Sequence, residues 1–303
     1  MMLYKTLPHS YKELPLRYTC TTTNYRYEKS GELSGLTRVR SLTQDDCHVF
    51  CMSEQIEAEI TTMTNMVGEV YKTFGFNDFW VRISLRDPNN KEKYLGQDSV
   101  WETAENALRN VMKKTGWDYK EAENEAAFYG PKLDFMLKDA IGREWQLSTI
   151  QLDFNLPKRF ELEYTDNEGK KAEPVVIHRA LLGSTERFMG IMIEHFAGNF
   201  PLWLSPNQIT ILPISDKHVD YANEIYKKLI DSDIRVELDS SKEGLGKKIR
   251  NVREMKTPYW AVIGDAEIAN GTVTLEHRTL GKIGEIKIEE LVEKLKIEIK
   301  EKK

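Results

Sequence analysis

Beyond residue 206 the apolar positions change rhythm at short intervals. Gln208 to Ile214 is a short apolar run of the kind a buried strand makes. His218 to Leu229 then places Val219, Ala222, Ile225, Tyr226 and Leu229 on one helical face. Ile234 to Leu238 reads as a strand again. Gly246 to Met255 reads as a helix, with Ile249, Val252 and Met255 on one side. Tyr259 to Ile263 and Thr272 to His277 predict two further strands, and Ile286 to Ile299 a closing amphipathic helix. The succession predicts a β-α-β-α-β unit with an added strand and helix, a three-layer α/β domain. It contains no Gly-x-Gly-x-x-Gly, which argues against a dinucleotide site.

The first 205 residues have a different rhythm. Strands are predicted over Leu16–Thr22, Tyr25–Tyr27, Thr37–Leu42, His48–Met52, Phe79–Ser84, Ala127–Tyr129, Leu133–Leu137, Glu144–Leu152 and Ala172–Val176. Helices fit Glu54–Thr73, Ser99–Thr115 and Leu181–His195. Strands follow strands with helices inserted between groups, the α+β pattern of a mostly antiparallel sheet. Pro201 and Pro206 bracket the change of pattern. The expected domains are therefore residues 1–204 and 205–303.

The net charge of −5 gives no support to nucleic-acid binding through bulk charge. From Pro206 onward the charges balance, so the whole excess of acid lies before it. No apolar run approaches the ~18 residues of a membrane span, and the start lacks the apolar stretch of a secretory signal. Cys20, Cys47 and Cys51 form no paired framework, which fits reduced thiols in the cytoplasm.

Four constellations could carry chemistry. Arg26, Glu28, Arg38 and Arg40 fall on two predicted strands around a Gly-containing loop, Lys29–Gly35. Alternation places each pair on one strand face. Such guanidiniums suit a polyphosphate; they equally suit cross-strand ion pairing on a solvated hairpin. Gln44-Asp45-Asp46-Cys47-His48 could hold a cation or an ammonium group, or could be turn acids beside a core-edge His. Phe128-Tyr129-Gly130-Pro131-Lys132 offers a Lys for phosphate charge, or a turn with a surface Lys. His178 to Arg187 runs from a strand through small residues into a helix whose first turn suits an anion or a stacked base.

Their joint occurrence in this order resembles the threonyl-tRNA synthetases, a family of class II aminoacyl-tRNA synthetases. Tyr25 to His48 is similar to class II motif 2 with the threonyl-type ending, and Leu182-Gly183-Ser184-Thr185-Glu186-Arg187 to motif 3. Ala126–Lys132 and Trp145–Phe154 are similar to the family's intervening strands, and the part after Pro206 to its anticodon-binding domain. The resemblance implies a partial class II catalytic domain followed by that domain. It implies ligation of L-threonine to tRNA(Thr) through threonyl-adenylate, with ATP, Mg2+ and Zn2+ as cofactors. A homodimer in the cytoplasm is the implied form, with no membrane partner. A catalytically impaired relative that binds threonine or tRNA as a regulator is the alternative, and serine specificity a weaker one.

The same resemblance assigns roles. Arg26 would bind the α-phosphate, Glu28 the adenine amino group, and Arg38 the distal phosphates. Arg187 would stack on adenine, and Gln44 and Lys132 would orient the reacting groups. Gln146 and Ser184 complete the ATP set. Asp46, Tyr129, Thr149 and Gln151 would hold threonine, with Asp46 on its ammonium. His48 and His178 would be zinc ligands. A metal that ligates the threonine hydroxyl rejects valine, which has none to offer. Glu267, Lys242, Lys256 and Arg278 would face the anticodon, joined by Lys247, Lys248, Arg250 and Arg253.

The chain also departs from the family pattern. The third zinc ligand, a Cys in a Cys-Pro-x-His segment, is expected upstream of Met1, as are motif 1 and the editing domain. Leu42 stands where the family stacks a Phe on adenine, a loss on the order of 1 kcal/mol. Glu276 stands where an anticodon-reading Arg is expected, with Arg278 close by.

Overall fold

The computed structural model describes residues 1–303, which separate into two units, Met1–His195 and Phe196–Lys303. No helix is long and apolar enough to cross a membrane.

The first unit is built on a seven-stranded sheet. Its strands are β1 (Leu16–Tyr25), β2 (Ser41–Cys51), β3 (Phe79–Ser84), β4 (Tyr119–Ala122), β5 (Lys132–Lys138), β6 (Glu144–Asp153) and β7 (Val175–Ser184). They lie in the order β1-β2-β7-β6-β5-β3-β4. Every neighbouring pair is antiparallel except β3 with β4. The long helices α1 (Ile56–Thr73) and α2 (Asp98–Thr115) contribute to the main core, and α3 (Thr185–Phe196) follows β7.

Period-two alternation explains which sheet face is which. Cys47, Val49 and Cys51 of β2, Leu133, Phe135 and Leu137 of β5, and Val175 and Ile177 of β7 join one core. In it they meet Ile60, Met63 and Val67 of α1 and Leu108, Val111 and Met112 of α2. Each fully buried apolar side chain contributes roughly 1.5–3 kcal/mol by leaving water. The alternate residues, Asp46 and His48 on β2, His178 on β7 and Lys132 on β5, belong to the opposite face. Cys47 thus lies in the core, where burial pushes its thiol up, while His48 beside it does not.

Three predicted strands and one helix start need correction. The β1–β2 ladder ends at the pair Tyr25–Ser41, so Arg26 to Arg40 form a connection, not two strands. That stretch is polar and offers no apolar alternation to bury. Ala127 to Tyr129 form a turn, because Gly130 packs its α-carbon on the Leu152 carbonyl; a β-carbon there would come within 1.8 Å of that oxygen. Residues 181–184 continue β7, and α3 starts only at Thr185.

The second unit has a five-stranded sheet of β8 (Ile209–Pro213), β9 (Val236–Leu238), β10 (Tyr259–Ile263), β11 (Thr272–His277) and β12 (Gly281–Lys287), ordered β9-β8-β10-β11-β12. β8 is parallel to β9 and β10; β11 and β12 are antiparallel additions. Alternation along β10 divides the core. Tyr259, Ala261 and Ile263 pack with α4 (Val219–Ile230) and α7 (Ile288–Lys300). Trp260 and Val262 pack with α5 (Leu245–Glu254). A short helix, α6 (Asp265–Asn270), links β10 to β11. The result is the three-layer arrangement read from the sequence.

Candidate active site

The sheet face opposite α1 and α2 carries two adjoining cavities. The first, about 340 Å³, is lined by Arg26, Glu28, Arg38, Leu42, Gly183, Ser184 and Arg187 among others. The second, about 330 Å³, is lined by Asp46, His48, Tyr129, Lys132, Gln151 and His178 among others. Arg26, Gln44, Gln146, Thr149 and Ala180 line both. Every residue expected to hold ATP therefore borders the first cavity, and every residue expected to hold threonine borders the second.

The Arg-rich connection is ordered by its own charges. Arg38 donates from Nε to Glu28 Oε2 at 3.1 Å, and its Nη2 lies 3.4 Å from Glu32 Oε2. Arg40 turns onto its own loop, with Nε on the Glu28 carbonyl at 3.0 Å and Nη2 on Ser30 Oγ at 3.3 Å. Arg40 borders neither cavity, so its grouping with Arg38 does not hold. Arg187 reaches back from α3. Its Nε donates to the Thr37 carbonyl and its Nη1 to the Gln146 carbonyl, both at 2.7 Å, and its guanidinium lies 5.5 Å from the Trp145 ring centroid. Burial, then Arg26 and Arg38 nearby, lowers its pKa, against a smaller opposing pull from Glu28.

In the second cavity the Tyr129 hydroxyl donates to Gln151 Oε1 at 2.8 Å. Burial, then the charges of Asp153 and Asp46, raises the Tyr129 pKa. The His48 and His178 rings meet edge to face with centroids 4.6 Å apart. His178 Nε2 pairs with Asp153 Oδ2 at 2.9 Å, and His48 Nδ1 lies 3.6 Å from Asp46 Oδ2. Burial and then His178 lower the His48 pKa, so at neutral pH it presents a neutral imidazole. The zinc expectation can be tested on these groups. Two imidazoles, one braced by a carboxylate, resemble part of a ligand set. His48, His178, Asp46 and Asp153 lie close together, but no three His, Cys, Asp or Glu side chains are placed to hold one metal ion; Cys47 faces the core, and Cys20 is exposed on β1. A three-ligand zinc site is therefore not met by the side chains of this chain alone.

Several residues that shape the site escaped the sequence reading. Asp45 accepts from the amides of Leu181 and Leu182 at 2.8 and 3.0 Å, and Glu186 accepts from the Thr43 amide at 2.9 and 3.0 Å. Together they replace ladder bonds where the β2–β7 register breaks between Gln44 and Asp46. Asp134 and Asp153, both fully buried, stand behind Lys132 and His178. A carboxylate two residues from a Lys on the same strand was the one signal available for Asp134. Asp45 was grouped with Asp46 and His48 as a possible cation or ammonium holder, and nothing in the sequence marked it as a brace for two amides.

Residues 1–196 match the tRNA synthetase class II core domain (G, H, P, S and T), and residues 208–298 the anticodon binding domain. A crystal structure titled as the RNA binding domain of threonyl-tRNA synthetase from Cryptosporidium parvum Iowa II superposes with a TM-score of 0.92. It is 40% identical over 98% of this chain and 74% of that one. The chain belongs to the threonyl-tRNA synthetase family. Among curated relatives, the threonine--tRNA ligase of Cytophaga hutchinsonii is 50% identical over 98% of this chain and 46% of its own length. That of Rubrobacter xylanophilus is 51% identical over 93% and 44%. The chain spans about half the length of the curated relatives it matches.

In the second unit of this synthetase-family chain, Glu267 is held within α6. It accepts from the Gly264 amide at 2.9 Å and from Thr274 Oγ1 at 2.7 Å. Lys256 bonds the Ala197 carbonyl through Nζ. Arg278 donates to the carbonyls of Lys256, Asn199 and Phe200 at 2.8, 3.2 and 2.6 Å. Those bonds fix its guanidinium in place, so it is not a freely swinging stand-in at the Glu276 position. Lys242 and Arg250 are exposed. Lys248, grouped with them from sequence, is instead buried, and its Nζ donates to the carbonyls of Pro213 and Asp239 at 3.1 and 2.8 Å. Helical phase turns it inward beside Val252, and it has no face left for RNA.

Proposed function

We propose that this chain carries the site for ATP-dependent ligation of L-threonine to tRNA(Thr) through threonyl-adenylate. The observation behind this reading is the pair of adjoining cavities with Arg26 in their common wall. ATP, with Mg2+ on its phosphates, occupies the first cavity. Arg187 lies along the adenine, Glu28 accepts from its amino group, and Arg38 pairs with the distal phosphates. Leu42 supports the base without the ring that would stack on it. Threonine occupies the second cavity, its ammonium toward Asp46 and its polar groups toward Tyr129, Thr149 and Gln151. His48 and His178 are the two ligands this chain would bring to a zinc.

The first reaction step follows from where charge develops. A threonine carboxylate oxygen attacks the α-phosphorus, the bond to the β-phosphate oxygen breaks, and pyrophosphate leaves. Arg26 and Lys132 lie where negative charge builds on the phosphoryl oxygens, and Gln44 orients the carboxylate. Catalysis of this kind comes from positioning and fixed positive charge. In the second step the terminal ribose hydroxyl of the tRNA attacks the acyl carbon and releases AMP. The Lys29–Gly35 loop meets the acceptor end, and the second unit meets the anticodon through Lys242, Glu267 and neighbouring groups.

Threonine-dependent exchange of pyrophosphate into ATP tests the first step on the chain itself. The expected result is exchange that requires threonine and falls at least 100-fold in Arg26→Ala. A folded, zinc-replete chain that binds threonine or tRNA without exchange would instead be a regulator.

A further inference from the structure

Asp134 sits on β5, has no exposed surface, and borders neither cavity. Its two oxygens nevertheless collect five donors. Oδ1 accepts from Gln146 Nε2 at 2.7 Å and Thr149 Oγ1 at 3.1 Å. Oδ2 accepts from Ser84 Oγ at 2.7 Å, Arg82 Nη2 at 3.1 Å, and Lys132 Nζ. A carboxylate has about four lone-pair sites, so both oxygens are saturated.

The consequence reaches the cavities through orientation. Gln146 Oε1 accepts from Arg82 Nη2 at 3.3 Å, and Gln146 Nε2 also donates to Thr149 Oγ1 at 2.9 Å. Reversing the amide would set donor against donor and acceptor against acceptor, so one orientation is fixed. The Thr149 hydroxyl proton is committed to Asp134, which leaves its oxygen as an acceptor. One ammonium proton of Lys132 is committed too, leaving two for the cavity. A bulge makes this possible. Asp134 pairs with Thr149 and Met136 with Gln146, so an extra β6 residue turns Gln146 to the same face as Thr149.

We propose that Asp134 is the positioning residue of this site. From behind both cavities it fixes the Lys132, Gln146 and Thr149 side chains that line them. Its part in the reaction rests on the ligase reading above, whereas its hold on the three side chains does not.

The test uses the full chain with Asp134→Asn. The amide keeps the volume but replaces one acceptor oxygen with a donor, which must oppose either Gln146 and Thr149 or Arg82 and Lys132. In threonine-dependent pyrophosphate exchange, kcat falls on the order of 100-fold, the scale of a small misplacement of reacting groups. KM for threonine rises about tenfold, the weight of one lost hydrogen bond. Partial unfolding would lower kcat alone and leave KM unchanged. The second readout is the Gln146 side-chain amide in a nitrogen–proton NMR spectrum, assigned with Gln146→Glu. It is slow to exchange with solvent in the parent and fast in the variant. If Asp134→Asn does not fold, Asp134→Ser reads the same loss without an opposing donor. A folded variant with parental KM, kcat and Gln146 exchange overturns the proposal. A parent chain with no exchange overturns the ligase reading alone, because the Gln146 signal still reports on Asp134.

Discussion

Replacing Gly183 with Ala adds one methyl group where two stretches of backbone already touch. Gly183 has φ +68°, and a β-carbon built on it lies 2.3 Å from the Leu147 carbonyl oxygen and 3.0 Å from its carbon. The left-handed conformation alone costs Ala about 1 kcal/mol. The oxygen contact is roughly 0.7 Å inside the closest approach real side chains make, and overpacking of this kind costs a further 1–3 kcal/mol or so. Loss of about 2–4 kcal/mol from the first unit is therefore expected. The displacement has a direction: it parts β7 from β6, where Arg187 Nη1 holds the Gln146 carbonyl. Movement of this size at a reacting centre costs on the order of 100-fold in rate. Denaturant unfolding should be followed by probes in each unit, since two units need not unfold as one. Pyrophosphate exchange reads the activity. A variant with parental stability and parental exchange would refute the claim that this contact sets the spacing of the two strands.

Three further expectations concern single side chains. Asp139 accepts from Trp145 Nε1 at 2.9 Å, Arg143 Nε at 2.6 Å and the Arg143 amide at 2.8 Å. Burial acts to raise its pKa, but these bonds outweigh it and hold it at about 2, against 3.8 when free. The unfolded chain thus takes up the proton first as pH falls, so this stability is full above about pH 4 and lost toward pH 2. Asp139→Asn should cost about 1–2 kcal/mol at neutral pH, with the difference vanishing near pH 2 in thermal melts. Lys248→Met removes charged donors from two carbonyls and should destabilise the second unit by about 2–3 kcal/mol. The salt dependence of tRNA binding should stay unchanged, and a reduced salt slope would return Lys248 to the RNA surface. Asp45→Ala frees the amides of Leu181 and Leu182. It should raise KM for ATP several-fold while Asp45→Asn recovers part of the loss, and equal effects of the two would deny the carboxylate its bracing role.

The strands Phe79–Ser84 and Leu133–Leu137 were legible because each is a short, mostly apolar run whose Val81, Ile83, Leu133, Phe135 and Leu137 are buried in the main core. The helices Ile56–Thr73 and Asp98–Thr115 were legible within two residues at each end for the same reason. Tyr119–Ala122 was not, being short and polar, nor was Gly281–Lys287, whose register against β11 is broken at Leu275 and Glu276. The candidate site residues were grouped through the order of their motifs, while their contacts depended on irregularities. Gln146 shares a face with Thr149 only because of a bulge, and Ser184 meets Gln44 only because four β7 residues span two on β2. Alternation arithmetic fails at such places, since the chain departs there from the regular ladder on which the arithmetic relies. Lys248 shows the converse error. A basic residue amid basic residues was read as surface, although its position on the helix points it toward the carbonyls of Pro213 and Asp239.

The wall common to both cavities also sets a thermodynamic constraint. Arg26, Gln44, Gln146, Thr149 and Ala180 touch whatever fills either space. If an occupant of one space orders this wall, part of the ordering cost of the next is already met, and on the ligase reading the two bindings would be cooperative without any moving lid. Linkage then fixes the bookkeeping of affinities. The factor by which a nucleotide tightens the hold on an amino acid must equal the factor by which that amino acid tightens the hold on the nucleotide.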